Sequence, residues 1–170
     1  MTEQPSGGRS TATRHRRTKR ILVALILTAL GIAAAALSER LLQKRLSVRN
    51  VESGEIYCSV PVQTGDQLVF RWTHSFEHIP WDEYYLIQKD GSFLLKTISV
   101  AGFGAGIPAE MDVHYRYEDG LIYMDGIDSV FPRFHWIHSN TALREIDLNG
   151  NCLLKGEDMP HHKKMELFVE

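Results

Sequence analysis

Short extended runs separated by turn residues constrain the fold of this 170-residue chain more than any other feature. From residue 47 onward, runs rich in β-branched, aromatic and aliphatic residues recur at intervals of about ten residues, a spacing typical of all-β domains. Asp90-Gly91 and Asp119-Gly120 are typical of tight hairpins because both residue types tolerate a positive φ. We therefore predict an all-β domain over residues 47–170, an antiparallel sandwich or barrel. The expected strands are LSVRNV, EIYCSVPV, QLVFRWT, EYYLIQ, SFLLKTISVAG, VHYRY, LIYM, FHWIH, ALREIDL, NCLLK and MELFV.

Residues 21–37, which read ILVALILTALGIAAAAL, contain no charged side chain. As a helix they would extend about 25 Å, close to the ~30 Å hydrocarbon core of a bilayer. We predict one N-terminal transmembrane signal anchor here. A cleavable signal peptide is the alternative, because the alanines at 33–36 supply the small residues that cleavage requires. Residues 1–20 are then a disordered basic tail, and residues 38–46 a juxtamembrane helix or linker.

The charge distribution orients the chain. The first twenty residues carry six Lys or Arg and one Glu, whereas the remainder is net acidic. The bias of positive charge predicts a cytoplasmic N-terminus, a single pass through the cell membrane and an extracytoplasmic C-terminal domain. An acidic body argues against nucleic acid as a partner, since binding to the phosphate backbone needs clustered cations.

The chain contains two cysteines, Cys58 and Cys152, both in predicted strands on the exported side. In an oxidising compartment they are candidates for a disulfide. Two unpaired thiols in separate strands are the alternative, because the sequence does not show whether their Cα atoms approach each other.

The segment Arg71–Ile87, RWTHSFEHIPWDEYYLI, concentrates tryptophans, histidines and acids. Its flanks alternate like strands, and Pro80 interrupts them, so we predict a polar connection over residues 74–82. His74 and His78 match H-x-x-E-H, a zinc-hydrolase signature. That signature needs a helix; on an extended backbone the two histidines would lie about 13 Å apart. A metal-dependent hydrolase using His74, Glu77 and His78 is therefore the alternative, and we expect no metal and no other cofactor.

Residues 101–108, AGFGAGIP, place three glycines at alternate positions. Their amides could form a concavity for an anion, but the helix that completes a dinucleotide site is absent from the pattern. A bulged and bent strand exit, with another side chain passing close by, is the preferred interpretation.

The two motifs T-H-S-F-E-x-x-P-W-D-E and G-F-G-A-G-I-P resemble the family called domain of unknown function 1850, with similarity over about residues 56–148. The resemblance implies a small exported or membrane-anchored protein associated with tripartite ATP-independent periplasmic transporters. Phe76 stands where the family usually has Val. The family motif falls here on His74, Ser75, Glu77, Pro80, Glu83, Gly104, Ala105, Gly106 and Pro108.

These observations lead to one functional hypothesis and two alternatives. We expect the polar loop and the glycine stretch to converge and to bind either transporter membrane subunits or a small solute. No residue is predicted to be catalytic. The alternatives are the hydrolase and a cell-envelope structural module without a ligand. The candidate binding residues are His74, Ser75, Glu77, Glu83, Gly104, Gly106 and Pro108.

Overall fold

The computed structural model describes residues 25–32, 43–104 and 112–170, which fall into two compact units, residues 1–43 and 44–170. In the first unit, residues 25–32 are α-helical and exposed. None of the helices in the described part of the chain has the length and apolar character that a membrane span needs. The rest of the predicted anchor, the basic tail and most of the predicted linker lie outside the described residues.

The described residues of the second unit form eleven strands and one 3₁₀ turn, and the all-β prediction is confirmed. The strands pair antiparallel in two sheets, a four-stranded sheet in the order β2-β1-β11-β8 and a seven-stranded sheet in the order β10-β9-β3-β4-β5-β7-β6. Their bounds are β1 Arg45–Asn50, β2 Ile56–Pro61, β3 Gln67–Thr73, β4 Pro80–Ile87, β5 Phe93–Val100, β6 His114–Glu118, β7 Leu121–Phe131, β8 Phe134–Ile137, β9 Leu143–Leu148, β10 Asn151–Lys155 and β11 Lys164–Val169; the 3₁₀ turn is Gly156–Asp158.

Each run that the sequence predicted contains a strand, but some boundaries differ. β1 begins at Arg45, two residues before the predicted start of the β domain, and Leu46 is fully buried and belongs to the core. β4 begins at Pro80, which shortens the polar connection to residues 74–79. Proline is tolerated there because the first residue of a strand does not need to donate to the ladder.

Two hairpins follow directly from their turn residues. Asp119 and Gly120 have φ of 50° and 76° and join β6 to β7. Asn149 and Gly150 have φ of 52° and 77° and join β9 to β10. Two consecutive positive φ values define the tight turn whose twist matches that of the flanking strands, which is why Asp or Asn followed by Gly occurs here.

Aromatic contacts join the two sheets in one hydrophobic core. Phe134, from β8 of the four-stranded sheet, packs against four rings of the seven-stranded sheet, those of Phe70, Tyr85, Phe93 and Phe131. Its ring centroid lies 5.2 Å from that of Phe70 and 4.8 Å from those of Tyr85 and Phe93. Such pairs contribute about 0.5–1.5 kcal/mol beyond the apolar area that they bury. These contacts fix the position of β3 and β4, the strands that carry the candidate site.

The two cysteines are free thiols. Cys58, in β2, packs against the core, whereas Cys152, in β10, is exposed beside the carboxylates of Glu145 and Asp147. The side chains therefore lie in different environments on different sheets, and of the two alternatives the structure contains the unpaired one.

His138 is a fully buried residue that ties β8 to the 3₁₀ turn and to β11. Its Nε2–H donates to the carbonyl of Gly156 at 2.8 Å, and its Nδ1 accepts from the indole N–H of Trp136 at 3.3 Å. Its backbone N–H donates to the carbonyl of Lys163 at 2.8 Å. Burial lowers the pKa of His138 below its ordinary value. The neutral ring satisfies both contacts, whereas a protonated ring would place a donor against the Trp136 donor.

We predict that the stability contributed by His138 is lost as the pH falls below about 6.5, the ordinary pKa of histidine. The unfolded chain takes up a proton there, while the buried ring resists protonation until a lower pH, so acid favours unfolding. Urea unfolding of the wild type and of His138→Gln between pH 8 and pH 5 measures this. The free energy of unfolding of the wild type should fall more steeply with acid; parallel curves would contradict the assignment.

Candidate functional site

The loop between β3 and β4 folds back on itself as a compact turn. The backbone N–H of His74 donates to the carbonyl of Ile79 at 2.8 Å, and that of His78 donates to the carbonyl of His74 at 2.9 Å. His78 adopts a φ of 55°. The H-x-x-E-H match therefore lies on a turn, so it lacks the helical spacing that would bring both histidines to one metal ion.

The ring of His74 is held from two sides. Its Nδ1 accepts a hydrogen bond from the backbone N–H of Glu77 at 3.1 Å. Its plane lies nearly parallel to the indole of Trp81, with the ring centroids 5.6 Å apart. The loop thus uses one ring nitrogen of His74 internally and presents the ring as an aromatic surface.

A different group of residues brings three potential metal ligands together in the described part of the chain. Glu145, Asp147 and Cys152 have ligand atoms within 4.8 Å of one another. The guanidinium of Arg71 already contacts this group, at 2.7 Å from Asp147 and 3.3 Å from Glu145. The positive charge of the Arg71 guanidinium explains why these acids cluster. His74, Glu77 and His78, the residues of the hydrolase alternative, are not part of the group.

The loop and the glycine stretch meet at Glu77 and Gly104. A Cβ built on Gly104 would lie 2.6 Å from Cδ and 2.7 Å from Cγ of Glu77. Any side chain at residue 104 would therefore displace the Glu77 side chain. The structure brings together these two motif residues, whereas Gly106 and Pro108 lie outside the described residues.

Glu83 is a half-buried carboxylate surrounded by neutral donors. Its Oε2 accepts from the indole N–H of Trp72 at 3.3 Å and from the hydroxyl of Tyr85 at 3.1 Å. Its Oε1 accepts from the indole N–H of Trp81 at 3.2 Å. Burial raises the pKa of Glu83, and these three hydrogen bonds oppose that rise. No Lys, Arg or His of the described ranges forms an ion pair with Glu83.

These side chains line a cleft of about 280 Å³ in the seven-stranded sheet. Trp72 is held in place by the core residue Phe70, on which its ring stacks with centroids 5.6 Å apart. Of the predicted site residues, the cleft includes His74, Ser75 and Glu83, and Glu77 adjoins it through His74. The lining residues are Trp72, Thr73, His74, Ser75, Trp81, Glu83 and Ala142.

The two tryptophans of the cleft are not among the predicted site residues. Trp72 and Trp81 are directly paired across β3 and β4, and Trp81, Glu83 and Tyr85 occupy alternate positions of β4. Alternate positions of a strand share a face. The sequence contains this alternation, but the predicted loop over residues 74–82 includes Trp81, so the alternation was not assigned to a strand.

The neighbouring acid, Asp82, has the opposite environment. It contacts Arg71 at 2.7 Å and Arg144 at 2.6 Å, and Arg71 also contacts Asp147 at 2.7 Å. Burial disfavours the charge of Arg71, but Asp147 and Asp82 outweigh it and raise its pKa. This network joins β3, β4 and β9. The acids of this network are therefore paired with arginines, whereas the carboxylate of Glu83 lies in the cleft.

The family described as "Domain of unknown function (DUF1850)" matches residues 68–154. This chain belongs to the DUF1850 family. The DUF1850 match extends from β3 to β10 and includes the whole cleft, whereas β1, β2 and β11 lie outside it. No curated protein and no solved structure matches the chain.

We predict that Gly104→Ala destabilises the protein by about 1–3 kcal/mol, the usual cost of overpacking. The new methyl group collides with Glu77, so Glu77→Ala introduced in the same chain should recover most of the loss. Chemical denaturation of the two single variants and the double variant measures the coupling.

Gly102→Ala is the matched control, because the nearest atom to its Cβ is Ile79 Cδ1 at 4.0 Å. It should leave the free energy of unfolding nearly unchanged. Additive effects of Gly104→Ala and Glu77→Ala would show that the loop and the glycine stretch are not in contact.

Proposed function

We propose that this DUF1850 protein is a membrane-anchored extracytoplasmic accessory of a solute transporter of the tripartite ATP-independent periplasmic type. In this proposal residues 21–37 form the anchor, and the β domain lies outside the cytoplasm. The proposed binding site is the cleft of Trp72, His74, Trp81 and Glu83. The observation that carries the proposal is that this cleft presents aromatic surfaces and a carboxylate within the segment that matches the family.

The chemistry of the cleft favours binding over catalysis. A nucleophilic mechanism needs a nucleophile next to a base that a third group orients. His74 uses its Nδ1 to accept from the backbone of Glu77, and Glu83 is held by three donors. Among the described residues, His74 and Glu83 do not form with Ser75 the set of nucleophile, base and orienting group that such a mechanism needs. Preorganised rings and a fixed carboxylate are instead suited to holding a ligand in place.

The anchor and the transporter association have separate support. The uncharged run at 21–37 and the basic residues before it favour a single pass with the N-terminus in the cytoplasm. The transporter role is supported by the family resemblance of the two motifs. The two motifs meet at Glu77 and Gly104, so one surface of the domain carries both.

The test is affinity capture of the full chain from solubilised membranes, followed by identification of the recovered proteins. We predict that the chain stays with alkali-washed membranes and recovers a transporter membrane subunit. Glu83→Gln should lower uptake of the solute carried by that transporter several-fold, whereas Glu157→Gln, a matched change at an exposed acid, should not. A chain recovered alone, together with uptake unchanged when its gene is deleted, would defeat the proposal.

A further inference from the structure

We infer that the cleft binds a small organic cation, with Glu83 as the counter-ion and with Trp72, His74 and Trp81 as the aromatic surfaces that contact it. This inference rests on the proposed function, which makes the cleft the binding site, and it names the class of ligand. The ligand is defined by chemistry: a substituted ammonium group small enough for a cleft of about 280 Å³.

The first argument is charge balance. Buried acids elsewhere in the domain have arginine partners. Glu166 contacts Arg49 and Arg133, both at 2.6 Å, and Asp82 contacts two arginines as well. Those arginines lower the pKa of Glu166 in spite of its burial. Glu83 has hydrogen-bond donors but no positive charge among the described residues, so its site is electrostatically incomplete.

The second argument concerns the hydrogen bonds of Glu83. An indole N–H can only donate, and Trp72 and Trp81 address different oxygens of the carboxylate. Because Tyr85 also donates to Oε2, the arrangement matches the acceptor pattern of an ionised carboxylate. The geometry of these hydrogen bonds therefore favours the anionic form, whereas burial raises the pKa of Glu83. A cation in the cleft would remove this conflict.

The third argument concerns the rings. An ammonium group is attracted to the face of an aromatic ring, most strongly to tryptophan, by about 0.5–2 kcal/mol depending on desolvation. His74 and Trp81 line the cleft as nearly parallel rings, and Trp72 lines it beside them. A neutral polyol could also pack on these rings and donate to Glu83, but it would bring no positive charge to the carboxylate. The cleft thus fits a cation better than a sugar.

The experiment compares choline with its uncharged carbon analogue, in which a tert-butyl group replaces the trimethylammonium group. Each is titrated into the full chain in detergent micelles, and the indole N–H resonances are followed by NMR. We predict that choline shifts the Trp72 and Trp81 resonances to saturation and binds at least about tenfold more tightly than the analogue, a difference of about 1.4 kcal/mol. Trp136, which donates to His138 and does not line the cleft, is the internal reference.

Two changes isolate the charge of Glu83. Glu83→Gln keeps the length of the side chain and should abolish the preference for choline, whereas Glu157→Gln should retain it. An unchanged Trp136 resonance shows that the Glu83→Gln chain is folded. If that variant does not fold, the wild type provides the same test, because acidification through the raised pKa of Glu83 should weaken choline binding without affecting the analogue.

Equal affinity for choline and the analogue, or a preference that survives both Glu83→Gln and acidification, would overturn the inference. Failure here is distinguishable from failure of the proposed function. Recovery of a transporter subunit with no choline binding would contradict only the inference that the cleft binds an organic cation. Choline binding with no recovered subunit would contradict only the proposal that the protein is a transporter accessory.

Discussion

The alternation of side chains along β4 is the constraint on which the site depends. Asp82 and Glu83 are adjacent in sequence, and the strand sends them to opposite faces of the seven-stranded sheet. Asp82 enters a network with Arg71 and Arg144 that joins three strands. Glu83 enters an aromatic cleft and receives only neutral donors. A shift of one residue in the register would exchange these environments and leave both charges in unsuitable surroundings.

The two faces of the sheet differ in how their charges are compensated. Paired ions on one face hold β3, β4 and β9 together, and the shared core below fixes the rings of Phe70 and Tyr85. Glu83 accepts three hydrogen bonds but has no counter-ion among the described residues, and a partly buried charge without a counter-ion costs free energy. In the proposed function, a bound cation supplies the counter-ion that Glu83 lacks among the described residues.

Much of the fold follows from local sequence patterns, whereas the site depends on distant pairings. Strands and hairpins could be predicted because alternation and turn pairs such as Asp119-Gly120 act over a few residues. The contact of Glu77 with Gly104 agrees with the expected convergence of the two motifs. The pairing of Trp72 with Trp81 could not be predicted, because Pro80 suggested that the loop after β3 continues to residue 82. The partners of Arg71 include Asp147, which is 76 residues away, and no local pattern shows that β9 lies beside β3.

The most direct test of this account is the pKa of the Glu83 side chain, measured by NMR of its carboxyl carbon as the pH is varied. We predict a midpoint above 4.5, the ordinary value for glutamate, because burial dominates over the three hydrogen bonds and no cation offsets it. The Trp72 and Trp81 indole N–H resonances should change at the same midpoint. A midpoint below 4.5, with indole resonances that do not respond, would show that Glu83 is paired or solvated and would contradict the account.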